Sequence, residues 1–152
     1  MKTLQLCLLV VGGLVSVVSG ASAKSCAITV RGNDQMQFDQ STIHLDAQCT
    51  QVVLTLIHTG TLAADVMGHN WVLTRPEDLA IVAQAGECAG IAQDYVAKGD
   101  PHVIAHTRLI GGGQQTQITF STHGLHPGQP YTYFCSFPGH WSVMQGTLFF
   151  NQ

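Results

Sequence analysis

The stretch from Tyr131 to Met144, Tyr-Thr-Tyr-Phe-Cys-Ser-Phe-Pro-Gly-His-Trp-Ser-Val-Met, restricts the fold of this chain more than any other. Tyr131 to Cys135 alternates and is aromatic, the composition of a strand that packs on one face. Gly146 to Phe150 reads as the next strand, and Phe137-Pro138-Gly139 between them is a turn signal. A Cys at the strand end, a His five positions on and a Met four beyond that then face one point: Cys135, His140 and Met144. Thiolate, imidazole and thioether suit soft or borderline metals. Copper cycling between Cu(I) and Cu(II) fits this mixture, whereas magnesium and calcium want oxygen ligands. Alone, a Cys in an apolar strand is usually core and a Met usually fills a gap. The three together in one Pro-Gly hairpin outweigh that plainer explanation.

The rest of the chain reads as short strands separated by turns, the pattern of an all-β sandwich. Cys26 to Gly32 is a half-buried strand, and Gly32-Asn33-Asp34 a turn. Met36 to Phe38 and Thr42 to Leu45 are short strand pieces, Gln51 to His58 a strongly apolar strand, Leu62 to Gly68 a loop, and Asn70 to Thr74 a strand. Pro76 to Gln93 breaks the pattern: Pro and acids stand where a helix begins, Leu79, Val82 and Ala83 recur at helical spacing, and Gly86 and Gly90 would weaken or end it. Val103 to Thr107 and Thr116 to Phe120 are further strands around the turn Gly111-Gly112-Gly113. Leu125 to Tyr131 has the form of a tyrosine corner, in which a Tyr hydroxyl pins a Greek-key crossover.

Length supports one core and one domain. Met1-Lys2, the apolar run from Leu4 to Val18 and the small residues Ala21-Ser22-Ala23 form a secretory signal peptide. The run is short of the roughly 20 residues that span a bilayer, so no membrane anchor is expected. Cleavage after Ala23 gives a signal peptide of residues 1–23 and a periplasmic domain of residues 24–152. It also takes the formal charge from −3 to about −4 by removing Lys2. With no basic cluster, a nucleic-acid partner has no electrostatic footprint. Cys7 leaves with the signal peptide, and Cys26, Cys49, Cys88 and Cys135 remain. If Cys135 holds a metal in an oxidising compartment, three are left and one of them is odd.

A trigonal blue-copper site needs a second imidazole. His69, in Met67-Gly68-His69-Asn70-Trp71-Val72-Leu73, stands at a turn running into an apolar strand. Four runs carry a resemblance: Val66 to Leu73, Cys135 to Met144, Gly32 to Phe38 and Val103 to Thr107. Together they resemble the azurins, small blue-copper proteins of the cupredoxin family, from about Lys24 to the end of the chain.

The resemblance implies an eight-stranded Greek-key β-sandwich, the cupredoxin fold, with a short helical insert. It implies one copper ion held by His69, Cys135 and His140, with Met144 a weak axial ligand and the Gly68 carbonyl a second weak contact. It implies that Asn70 ties the two ligand loops together and that the backbone N–H groups of Asn70 and Phe137 point at the Cys135 sulfur. It selects Cys26 with Cys49 as the disulfide, worth roughly 3 kcal/mol on the chain-entropy account. Cys88 is then a free thiol through which two otherwise monomeric copies could link.

Trigonal ligation without an open position implies electron transfer rather than catalysis. The expected role is a periplasmic carrier moving single electrons between a c-type cytochrome and a terminal reductase or dehydrogenase. A copper oxidase would need further His-x-His pairs, which the chain lacks, and a storage protein would favour exchangeable Met- or His-rich sites. Electrons would leave through His140 within an apolar docking patch of Met36, Leu62, Val66, Met67, Phe137, Pro138 and Val143. Trp141 departs from the azurin pattern, which has a small polar residue there, and would extend or partly cover the patch. Glu87 falls where azurins carry a methionine of that patch. His58 matches a partly buried azurin histidine. It either couples protonation to redox state or is a satisfied polar residue at a strand end. His44, His102, His106, His123 and His126 are expected at the surface.

Overall fold

A computed structural model describes residues 24–151. The segment expected to be a signal peptide, residues 1–23 with Cys7, lies outside the described residues. Eight strands are formed there: β1 (Ser25–Gly32), β2 (Thr42–Asp46), β3 (Gln51–His58), β4 (Val72–Thr74), β5 (Ala105–His106), β6 (Gln115–Ser121), β7 (Pro130–Phe134) and β8 (Gln145–Asn151). They make two sheets, of order β1-β3-β6 and β2-β8-β7-β4-β5. The pairs β1 with β3 and β2 with β8 are parallel, and the other pairs are antiparallel. Such mixed pairing needs long crossovers between sheets, the Greek-key expectation for this sandwich.

The alternation in sequence decides which side chains enter the core. In β3 the even positions Val52, Leu54 and Leu56 are buried between the sheets. Leu73 of β4, Tyr131 and Tyr133 of β7 and Leu148 of β8 meet them from the other sheet, with Trp71 just ahead of β4. The disulfide between Cys26 and Cys49 joins the start of β1 to the residues just ahead of β3, as the resemblance implied. The tyrosine corner is present, with the Tyr131 hydroxyl accepting the His126 N–H at 2.8 Å.

A second, smaller core lies on the outer face of the five-stranded sheet. There Val72 and Phe134 pack under Val82 and Ala83 of helix α2 (Leu79–Ala89), with Val96. This is the helical insert. Gly86 lies within it and does not end it; a Cβ there would collide with the Tyr95 carbonyl, so its small size serves close packing. Gly90, at φ 73°, ends the helix in a conformation that favours glycine.

Four element readings need correction. Met36 to Phe38 is not a strand: only Phe38 makes a bridge, to Gly32, and Met36 sits at φ 56°, outside the extended region. The Leu62–Gly68 loop contains a one-turn helix, α1 (Ala64–Met67). The strand expected from Asn70 begins at Val72, because the Trp71 N–H donates to the Thr107 hydroxyl at 2.9 Å and not to a ladder carbonyl. Of Val103 to Thr107 only Ala105–His106 is laddered, with single bonds from Ile104 to Leu73 and from Thr107 to Trp71 on either side.

Candidate metal centre

Two loops deliver the candidate ligands to one end of the sandwich. Gly68 and His69 follow α1. A Cβ on Gly68 would collide with the Ala64 carbonyl and press on the Leu109 side chain, so only glycine lets the chain turn so tightly into His69. The His69 backbone then exchanges two hydrogen bonds with Ile110, both 2.9 Å. Cys135 follows the last residue of β7, and its N–H donates to the Met144 carbonyl at 3.0 Å, which closes the loop between β7 and β8. Inside that loop the His140 N–H donates to Phe137 at 2.9 Å and the Met144 N–H to His140 at 2.8 Å. Turn-like bonds thus hold His140 and Met144 in fixed places relative to Cys135.

His69, Cys135 and His140 bring one ligand atom each to within 4.8 Å of one another, and all three residues are buried. The Cys135 Sγ lies 3.8 Å from Nδ1 of His69 and 3.5 Å from Nδ1 of His140. A trigonal plane with metal–sulfur and metal–nitrogen bonds of about 2.3 and 2.0 Å puts S and N about 3.7 Å apart. The spacing therefore fits one metal ion between the three donors. The Gly68 carbonyl oxygen lies 3.7 Å from the sulfur and 3.0 Å from His69 Nδ1, at the edge of the same cluster. Met144 is fully buried, and a Cβ on Gly32 would come within 2.9 Å of its terminal methyl and 2.7 Å of the His69 ring. Gly32 at the end of β1 thus lets the backbone close over both side chains.

The surroundings prepare these groups as ligands. Nε2 of His69 donates to the Asn33 carbonyl at 2.8 Å, which fixes the tautomer and leaves Nδ1 a free lone pair. Burial lowers the His69 pKa, against its bonds to Asn33 and Gly68, and pushes that of His140 down to about 4, helped by neighbouring histidine charges. Both imidazoles are therefore neutral and able to ligate at pH 7. Burial pushes the Cys135 thiol up to about 12, opposed by backbone N–H groups of Asn70 and Phe137 that donate to the sulfur. Without metal the thiol is protonated, so metal uptake must release that proton.

Asn70 links the two ligand loops. Its Oδ1 accepts the Ser136 N–H at 2.8 Å, and its Nδ2 donates to Ser136 Oγ at 2.7 Å. The ring of His58 stacks on that of His69, centroids 4.2 Å apart. Both His58 nitrogens are bonded: Nδ1 accepts the Gly60 N–H at 3.1 Å, and Nε2 donates to the Met67 carbonyl at 2.8 Å. Asp34, 3.9 Å from His58 Nε2, also accepts the Thr61 N–H at 2.8 Å, which holds the loop ahead of α1.

His140 is only 3 % exposed, so its ring is more enclosed than a surface-reaching turn suggests. Leu62, Val66 and Val143 are 40, 59 and 62 % exposed. Pro138 is exposed as well, and Met36, Met67 and Phe137 are half-buried, with the Phe137 ring centroid 4.6 Å from that of His140. Trp141 is half-buried against the second core beneath α2. Glu87 and the free thiol Cys88 are exposed on α2. His44, His102, His106, His123 and His126 are exposed, and His102 reaches Asp78 at 3.1 Å.

The roles of Asn33, Asp34, Ser136 and Gly32 were not assigned from sequence. The Asn33 carbonyl, the Asp34 carboxylate, the Ser136 N–H and hydroxyl and the missing Cβ of Gly32 leave no signature beyond Gly-Asn-Asp at a strand end.

Residues 24–151 match the family model of copper-binding proteins of the plastocyanin/azurin family. Azurin of Achromobacter denitrificans is 49 % identical over 139 residues, 89 % of this chain and 93 % of that protein. Azurin-2 of Alcaligenes xylosoxydans xylosoxydans is 50 % identical over 123 residues, 81 % of this chain and 95 % of its own. The solved structure of azurin iso-2 from the methylotroph Methylomonas sp. strain J superposes with a TM-score of 0.80 at 40 % identity, covering 84 % of this chain and 98 % of that one. With a buried His-Cys-His cluster spaced for one ion inside a cupredoxin sandwich, the chain belongs to the plastocyanin/azurin family of blue-copper electron-transfer proteins.

Proposed function

We propose that this protein is a periplasmic carrier that passes single electrons between a c-type cytochrome and a terminal reductase or dehydrogenase. The observation that carries the reading is the buried cluster of His69, Cys135 and His140, which lies ready-made at the end of a rigid sandwich. Copper bound there would supply a one-electron couple between Cu(I) and Cu(II). His69, Cys135 and His140 would hold it, with Met144 and the Gly68 carbonyl as weaker contacts. The chain does the remaining work. Asn33 orients His69, the Asn70 and Phe137 N–H groups stabilise charge on the Cys135 sulfur, and the packing of Met144 against Gly32 keeps water out. A cage held by so many bonds changes little between oxidation states, which suits a relay.

Partners would dock on the apolar surface formed by Leu62, Val66, Pro138 and Val143 with Met36, Met67 and Phe137, close to the His140 edge; transient docking uses such patches. Trp141 and Glu87 would flank it. The mature domain would run from Lys24 after removal of residues 1–23 and act as a monomer, with Cys88 the point at which oxidation could link two copies. Among the described residues no helix is long and apolar enough to cross a membrane. The test is reconstitution with Cu(II) followed by stopped-flow mixing with a reduced c-type cytochrome. An intense blue band that bleaches with second-order kinetics supports the carrier. A colourless copper adduct, or a blue protein inert to every c-type cytochrome offered, would refute it.

A further inference from the structure

Asp94 and Tyr95 are consecutive non-glycine residues in the left-handed region, at φ 55° and 54°. Such residues persist only where the surroundings over-determine them, and they are clues to function. Here the determinants are visible. The Asp94 N–H donates to the Ile91 carbonyl at 3.0 Å and the Tyr95 N–H to the Gly90 carbonyl at 3.0 Å, so the end of the helical insert is folded back on itself. In that conformation the Asp94 carbonyl accepts Nδ2 of Asn70 at 2.7 Å, and its Oδ1 accepts the Leu109 N–H at 2.9 Å.

Both contacts lead to the metal centre. Leu109 precedes Ile110, whose backbone pairs with His69 in both directions, and its side chain packs over Gly68. Asn70 is fully buried, follows His69 in sequence, and holds Ser136, the residue after Cys135. The Asn70 amide has both N–H bonds and its oxygen in use, and Asp94 provides the one partner outside the ligand loops. A glycine would adopt this backbone at less cost, but it would lack the carboxylate that fixes Leu109.

We infer that Asp94 is a positioning residue for the copper ligands. Its left-handed carbonyl and its carboxylate anchor Asn70 and Leu109, and so set the hydrogen bonds that reach the Cys135 sulfur. The inference rests on the copper reading above. N–H bonds to a ligating sulfur withdraw charge from it and favour Cu(I), so hydrogen bonding around that sulfur tunes the potential. If the anchor is lost, Asn70 and Ser136 can shift, the Asn70 and Phe137 N–H groups point less well at the sulfur, and Cu(II) gains.

The experiment compares the copper-loaded protein with Asp94→Ala, Asp94→Gly and Asp94→Asn, and with Ile43→Val as a general loss of core packing in β2. Asp94→Ala should move the Cu(II)/Cu(I) ratio at fixed poise roughly tenfold toward Cu(II), a fall of about 59 mV, and shift the visible band. Asp94→Gly should fall between, because it keeps the backbone but loses the carboxylate. Asp94→Asn keeps both the acceptor and the left-handed preference and should match the wild type. Ile43→Val should lose stability at unchanged potential. In the metal-free proteins, amide exchange at Ser136 and Leu109 should quicken in Asp94→Gly more than at the β3 amides.

Wild-type potentials in the Ala and Gly variants would overturn the inference, as would an equal shift in Ile43→Val. If Asp94→Ala does not fold, the contrast between Gly and Asn decides. If the wild type is not blue, the copper reading fails, and the exchange rates alone then test whether Asp94 anchors the two loops.

Discussion

The two sheets solve the same packing problem differently. In the three-stranded sheet one face is dry and the other wet: β6 runs exposed and half-buried in strict alternation, and β3 buries only every second residue fully. At the middle of the five-stranded sheet both faces are dry. All three residues of β4 are buried, because Leu73 faces the main core while Val72 faces the smaller one under α2. β7 does the same, with Tyr133 on one side and Phe134 on the other. His69 and Cys135 extend from these two strands. The ligands therefore stand where water is excluded from both sides, and the same burial raises the Cys135 pKa and lowers that of His140. A half-wet sheet could present the same residues but would not hold them as neutral, poorly solvated donors.

The sharpest break in this contrast is at the sulfur. Cys135→Ser should fold, because the site is closed by backbone bonds, and should lose the intense visible band entirely, since that band needs a Cu(II)–thiolate bond. Absorption spectroscopy on the copper-loaded variant decides it, and a retained blue colour would sink the assignment.

Next comes the packing difference. Phe134→Ala, on the doubly covered strand, should cost about 3–5 kcal/mol by urea unfolding. Thr119→Ala, on the wet face of β6, should stay within about 0.5 kcal/mol. Similar costs at the two positions would mean that α2 does not dry the outer face.

Acid should separate the metal-free and copper-loaded proteins. The folded-state pKa of His140 is about 4, below the ordinary 6.5, because burial disfavours its charged form. The unfolded chain therefore takes up the proton first. The contribution is intact above pH 6.5 and is lost as pH falls from 6.5 toward 4, by up to about 3 kcal/mol. His69 is shifted in the same direction. Thermal melts across this window should fall steeply for the metal-free protein and much less for the loaded one. Parallel curves would show that the rings are not held neutral by burial.

Met144→Gln should keep the blue site but lower its potential, because a harder oxygen donor favours Cu(II); a tenfold change in the ratio is about 59 mV. Voltammetry giving an unchanged or higher value would count against an axial role.

The smallest effect lies outside the dry region altogether, on the exposed face of α2. If Glu87 borders the docking surface, two copies meeting there repel. Glu87→Met should then speed electron self-exchange severalfold at low salt, with the gain shrinking as the screening length falls below about 10 Å. Equal rates at every ionic strength would place Glu87 away from the surface.

The sequence by itself determined the sandwich and the candidate ligands that share one hairpin. Cys135, His140 and Met144 share one hairpin, so their proximity follows from a turn of known length, and period-two alternation marks the strands that carry them. The resemblance added His69 and the pairing of Cys26 with Cys49, and both hold. Other features were decided only by tertiary structure, because they are contacts between residues far apart in the chain and made largely by backbone atoms. The Asn33 carbonyl on His69, the Asp94 carbonyl on Asn70 and the space that Gly32 leaves for Met144 have no side-chain signature. The same holds for Trp141: a large ring beside a ligand reads from sequence as part of a surface patch, and only the position of α2 shows an apolar cluster against which it packs. Local pattern specifies which groups can bind a metal; the second layer that covers β4 and β7 decides how dry, how neutral and how firmly held they are.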